Sequence, residues 1–274
     1  MRSYAILGCG YVGLAQLRLW RHNGSGAIAV STTTPSRLPG LQQEADRALL
    51  VQGDDPIALQ ELLAGAELLV VSVAPKRGAS YRDCYLATAE QLCRLLVEKG
   101  PGPLRQLIYT SSTSVYGDAN GGWVDEEETL APTSENEKLL GRVEELYLAL
   151  ASQLPIVTTI LRLAGIYGPG REHADRCQQM AGRSFPGRPT DFGNWVHLED
   201  ISRAIDWVAR RQLGGIYNVC SDDHPTKAEL YLPLAHQRGV EPPHWDGSRP
   251  TAHKRVSNRK LLATGFAFSH TALQ

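Results

Sequence analysis

The chain has 274 residues, of which 42% are hydrophobic and 21% charged, enough for a full core in one large domain or in a large domain with a smaller companion. Its net charge of −1 and pI near 6.7 give no electrostatic case for a nucleic-acid partner or for an anionic membrane surface. Apolar stretches such as 68–74 fall far short of a bilayer span and no signal-peptide pattern precedes the first strand, so a cytoplasmic protein with small-molecule partners is expected.

The first element is a short apolar run, Tyr4-Ala5-Ile6-Leu7, followed by Gly8-Cys9-Gly10-Tyr11-Val12-Gly13 and a helical pattern. The G-x-G-x-x-G spacing between strand and helix is the phosphate-cradling turn of a dinucleotide-binding βαβ unit. Gly8 serves the tight turn, Gly10 lets backbone approach a pyrophosphate, and Gly13 permits close packing of helix on strand, with Tyr11 and Val12 opening the helix whose N-terminus faces the anion. Cys9 sits inside the turn and reads as a small tolerated residue rather than a nucleophile. The five cysteines show no C-x-x-C spacing, which argues against a disulfide framework and a structural zinc site, and no metal ligands are expected.

The second strand runs into Ser31-Thr32-Thr33-Thr34-Pro35-Ser36-Arg37. An NAD site places an acidic residue about 20 positions beyond the glycines to hold the ribose 2′-hydroxyl. Here that place holds hydroxyls, and Glu44 lies too far along, whereas Ser31, Thr32 and Arg37 suit a 2′-phosphate. NADP is therefore expected ahead of NAD. Asp54 and Asp55 stand at a helix entrance, where an adenine contact and N-capping are both open readings. Ala74, after the fourth strand, offers the small side chain that close approach to a cofactor requires.

Strands are expected at 3–8, 27–32, 47–51, 67–73, 105–110 and 156–162, with helices between them, the clearest at 12–22, 57–63, 81–99 and 136–153. The near-continuous apolar runs predict a parallel sheet covered on both faces, a Rossmann-type doubly wound α/β fold. After Gly165 proline and glycine become frequent, so the expected division is a dinucleotide-binding domain over 1–165 and a smaller α/β substrate lobe over 166–274, partly interleaved with the sheet. Ligands of such sheets bind beyond the carboxyl ends of the strands.

One of those ends reads Leu107-Ile108-Tyr109-Thr110-Ser111-Ser112-Thr113-Ser114-Val115-Tyr116-Gly117. With Gly122-Trp123-Val124-Asp125-Glu126, the stretch 161–171, Asn194-Trp195-Val196-His197-Leu198-Glu199-Asp200, 215–219 and 256–266 in the same order, the chain resembles the extended short-chain dehydrogenase/reductase family of epimerases, dehydratases and related reductases. The resemblance implies that Ser112 bonds the substrate oxygen and that Thr110, Ser111 and Arg162 border the cofactor. It also implies a Tyr-x-x-x-Lys pair on the next helix, the Tyr as general acid/base and the Lys lowering its pKa. Registered on Pro132, those positions hold Asn136 and Leu140, and no tyrosine in the chain has a lysine four residues on. The resemblance is thus to the atypical branch that lacks the dyad.

Glu135, Glu137, Lys138, Tyr116, Tyr167 and His173 are candidate replacement acids, each with an ordinary structural role as the alternative. His197 reads as a loop-orienting residue, Asp200 as a helix-dipole partner, and 125–128 as a solvated lid segment. What the resemblance implies is an NADP-dependent oxidoreductase or epimerase/dehydratase acting at a carbinol or carbonyl carbon of a nucleotide sugar or other polar carbonyl compound. Arg171 and Arg183 are the only basic residues that suggest a diphosphate site, and the helices over 81–99 and 136–153 match a pair that forms homodimers in the family. The alternative is a non-catalytic NADP(H)-binding sensor.

Overall fold

The computed structural model describes residues 2–76, 78, 80–248 and 253–271. In chain order the elements are β1 (Tyr4–Leu7), α1 (Tyr11–His22), β2 (Ile28–Thr32), α2 (Leu38–Glu44), β3 (Arg47–Leu50), α3 (Pro56–Leu63), β4 (Leu68–Val71), α4 (Thr88–Lys99) and β5 (Gln106–Ser112). Next come β6 (Trp123–Val124), α5 (Glu135–Gln153), β7 (Val157–Leu163), β8 (Gly165–Tyr167), α6 (His173–Met180), β9 (Ser184–Phe185), β10 (Trp195–His197) and α7 (Leu198–Arg211). The last are β11 (Gly215–Val219), α8 (Lys227–Arg238), β12 (His244–Trp245), β13 (Arg255–Val256) and α9 (Arg259–Ala263). Among the described residues no helix is long and apolar enough to cross a membrane.

Contacts divide the chain into two units that alternate in sequence, one of Met1–Ser111, Ser134–Leu161 and Ser202–Ile216, the other of Ser112–Thr133, Arg162–Ile201 and Tyr217–Gln274. A seven-stranded sheet in the order β11-β7-β5-β4-β1-β2-β3 organises the first. β1 pairs parallel with β2 and β4, β2 with β3, and β4 with β5. Every residue of β2 and β4 is buried, because crossover helices cover both faces, which is why their sequences are apolar runs rather than alternations. The strand order reverses direction of growth at β1 and β4, so the ends of those strands border the crevice where such sheets hold ligands.

Helix starts in this unit follow local chemistry. Asp55 accepts from the N–H groups of Ile57 and Ala58 at the head of α3, with Pro56 in the first turn. At α5, the Ser134 hydroxyl accepts from Glu137 N–H while the Glu137 carboxylate accepts from Ser134 N–H, a reciprocal capping box. Two segments differ from the sequence expectation. The polar stretch after β2 tightens into a 3-10 turn at Pro35–Arg37 and continues as α2, and the helix expected over 81–99 begins with wider π-type turns at Arg82–Ala87 before α4.

The second unit is built from two-stranded parallel pairs, β8 with β10, β9 with β12 and β6 with β13. Long side chains tie these short pieces together. The Asn194 amide donates to the Lys254 carbonyl and its oxygen accepts from Val256 N–H, while the buried Lys254 ammonium donates to the Gly117 carbonyl at 2.7 Å. A small apolar core of Cys177, Leu230, Tyr231 and Ala235 joins α6 to α8.

Candidate functional site

The glycine turn joins β1 to α1. Gly8 has φ +92°, and a Cβ there would lie 2.8 Å from the Ser72 carbonyl oxygen. A Cβ at Gly13 would lie 2.5 Å from the Gly8 carbonyl oxygen, so helix and turn touch at backbone distance. At Gly10 a Cβ would meet no protein atom within 4 Å, which leaves that backbone open to a ligand. Gly10 caps α1 without a side-chain hydrogen bond and the first turn carries no acidic residue, the arrangement that favours an anion at a helix N-terminus. The residues present therefore fit a dinucleotide pyrophosphate.

The end of β2 holds this turn. Ser31 is buried, its hydroxyl accepting from Gly8 N–H at 2.9 Å and its carbonyl from Cys9 N–H at 2.7 Å. The Thr32 hydroxyl accepts from Thr34 N–H and shapes the loop that delivers Arg37. Burial pushes the Cys9 thiol up to about 12 while the nearby Arg37 guanidinium acts in the opposite sense, so the thiol stays protonated and inert. Among the described residues Arg37 makes no ion pair or side-chain hydrogen bond. Glu44, the nearest acid, is committed to Arg18 at 2.7 Å. Lys76, absent from the sequence reading, donates to the Thr33 carbonyl at 3.3 Å and brings a second cation to this loop. No local motif marks it, since it arrives from the segment after β4.

Asp54 and Ala74 are exposed at strand ends of the same unit, and Asp55 takes the capping role. Thr110 donates to the Val71 carbonyl at 3.3 Å. The buried Ser111 donates to the buried Glu144 carboxylate at 2.5 Å. The Ser112 hydroxyl accepts from Ser114 N–H and caps the short turn Thr113–Tyr116. On α5, Asn136 is exposed and Leu140 is buried.

The candidate replacement acids separate clearly. Glu135 pairs with Lys138 at 2.7 Å on the surface, and Glu137 belongs to the capping box. Tyr116 is buried and donates to the Asn218 side-chain oxygen at 2.8 Å, with the Arg162 guanidinium 4.7 Å from its ring centre. Burial pushes the Tyr116 hydroxyl up to about 12, against the pull of Arg162. Tyr167 and His173 are different. Both are buried with ring centroids 4.6 Å apart, and neither the Tyr167 hydroxyl nor either His173 nitrogen has a hydrogen-bond partner among the described residues. Burial lowers His173 to about 4, leaving a neutral imidazole with one donor and one acceptor. Both side chains line a pocket of about 530 Å³ in the second unit, together with His197 and His270. Such a pocket combines aromatic walls with a few unsatisfied polar groups.

Residues 5–220 match the sequence profile of the NAD dependent epimerase/dehydratase family. The chain belongs to that family. Its relatives include the protein YeeZ of Escherichia coli strain K12, 30% identical over 98% of this chain and 96% of YeeZ. In three dimensions this family member is similar to a UDP-glucose 4-epimerase of Thermus thermophilus solved with NAD, at 18% identity and TM-score 0.79 over 98% of this chain and 94% of that one. It is also similar to a dTDP-glucose 4,6-dehydratase of Bacillus anthracis str. Ames in complex with NAD, at 17% identity and TM-score 0.82 over 99% and 93%. These likenesses bear out the Rossmann-type fold and the extended short-chain dehydrogenase/reductase resemblance.

Proposed function

We propose that this family member binds NADP in preference to NAD and acts as an oxidoreductase or epimerase/dehydratase on a polar carbonyl or carbinol compound, a nucleotide sugar being one such substrate. The observation that carries the reading is Arg37, a guanidinium beside the glycine turn, uncommitted among the described residues, where NAD sites place an acid. Lys76 supports it from the same loop. Gly8, Gly10, Tyr11, Val12 and Gly13 would hold the pyrophosphate, with Thr32 and Arg37 at the 2′-phosphate and Ser31 keeping the turn in shape. Asp54, Ala74, Thr110, Ser111 and Arg162 complete the proposed cofactor surroundings. The nicotinamide supplies hydride-transfer chemistry when bound.

In this reading residues 1–165 serve the cofactor and 166–274 the substrate, and Ser112 orients the reacting oxygen. With Asn136 and Leu140 in place of the usual dyad a replacement acid is required, and of the candidates Tyr167 and His173 are those whose polar atoms have no partner among the described residues. The homodimer that the helices α4 and α5 suggest, and a cytoplasmic setting suited to five free thiols, belong to the same reading. The buried Leu140 favours a second reading, an NADP(H) sensor without turnover. Parallel fluorescence titrations with NADPH and NADH test the cofactor assignment: tighter NADPH binding is expected, and equal or reversed affinities would reject it. Hydride consumption with candidate carbonyl substrates then separates enzyme from sensor.

A further inference from the structure

We propose that His197, Glu199 and His270 form a site for one divalent transition-metal ion of the Zn2+ class, open towards the pocket of the second unit. The proposal is independent of the cofactor reading. Each residue offers one ligand atom, and these atoms lie within 4.8 Å of one another. A tetrahedral ion with nitrogen and oxygen ligands at about 2.0–2.1 Å needs its donors about 3.3 Å apart. Nε2 of His270 and Oε2 of Glu199 are already 3.8 Å apart, and the Glu199 side chain is 60% exposed and free to close the remainder.

The hydrogen bonding behind His270 points the same way. Asp200 is fully buried and accepts from the N–H groups of Ser269 and His270 at 2.8 and 2.9 Å, with Nδ1 of His270 a further 3.3 Å from its Oδ2. That carboxylate stands behind Nδ1 of His270, on the side of the ring away from the Nε2 that lies 3.8 Å from Glu199. A buried carboxylate behind one imidazole nitrogen is also the usual way that the other nitrogen is oriented toward a metal.

His197 adds the second nitrogen. Its ring now stacks on His270 with centroids 3.7 Å apart and its Nδ1 accepts a long 3.3 Å bond from Glu199 N–H, so coordination requires this ring to turn out of the stack and give up that bond. Paired imidazoles select a Zn2+-like ion over Mg2+ or Ca2+, which take oxygen ligands. Three protein ligands leave coordination positions for water or a small ligand. The Tyr167 hydroxyl and the His173 nitrogens, unpaired and lining the same pocket, are hydrogen-bond partners for whatever fills them.

Calorimetric titration of chelator-stripped protein with Zn2+ at neutral pH, repeated with Co2+ under visible absorption, tests the site. The expected result is one ion per chain and a tetrahedral Co2+ band. E199Q and H270A should each weaken binding by about tenfold or more. Glu199 is exposed, so E199Q keeps the fold, as circular dichroism would register, and decides the matter even if H270A loosens the chain near Asp200. Absence of Zn2+ binding overturns the proposal. So does binding of unchanged affinity in both variants.

Discussion

Gly10 and Gly13 look equivalent in the motif and differ in what surrounds them. Gly13→Ala drives a methyl to 2.5 Å from the Gly8 carbonyl oxygen, so the unfolding free energy should drop by about 1–3 kcal/mol. Gly10→Ala meets no protein atom and should leave the denaturation midpoint nearly unchanged. Its methyl instead occupies the approach to the pyrophosphate, and NADPH affinity should weaken by at least about 1.4 kcal/mol, tenfold in Kd. A Gly10→Ala protein that binds NADPH as well as wild type would contradict the use of this turn. Arg37→Ala should remove most of the NADPH preference, since a hydrogen bond to a charged group contributes about 1.5–3 kcal/mol. Should the NADPH-to-NADH ratio stay fixed, the same measurement on Lys76→Ala identifies whether the second cation reads the phosphate.

At the scale of elements, local signals carried furthest where the cause is local. Ser134→Ala removes the hydroxyl that accepts from Glu137 N–H, while the backbone N–H that donates to the Glu137 carboxylate remains, and should cost about 1 kcal/mol in urea denaturation with an unchanged m-value. An unaffected midpoint would mean that tertiary packing alone sets the start of α5. β1, β2, β4, β5 and β7 were legible because buried parallel strands are written as apolar runs, and the glycine turn because its spacing is contiguous. The helix α2 was obscured by Pro35, Pro39 and hydroxyls that read as a loop, yet proline is at home in a first helical turn. Lys76 and the pocket were illegible for another reason. Tyr167 and His173 lie on either side of a turn, His197 ends a three-residue strand paired only with β8, and His270 stands near the end of the chain. No short window of sequence contains more than part of that group, so only the fold brings it together.

For the whole molecule, buried and half-buried histidines shape how stability responds to acid. Burial lowers His173 to about 4, and lowers His197 and His224 in the same direction. Each binds a proton more readily in the unfolded chain, whose histidines titrate near ~6.5. Between those values the unfolded state holds more protons, so the unfolding free energy rises with pH through this window and levels off above it. His173 alone contributes at most about 3.4 kcal/mol, since lowering from 6.5 to about 4 is worth 1.36 kcal/mol for each pH unit, and the contribution is lost progressively as pH falls from about 6.5 towards 4. Arg176 reinforces the depression, so acidification charges a buried ring that already faces a cation. In urea midpoints measured from pH 4.5 to 7.5, wild type should lose ground to His173→Phe towards the acid end, because phenylalanine fills the ring site and has no proton to bind. Parallel curves for the two proteins would show instead that His173 is solvated well enough to titrate normally, and would remove both the acid sensitivity and the neutral imidazole on which its pairing with Tyr167 depends.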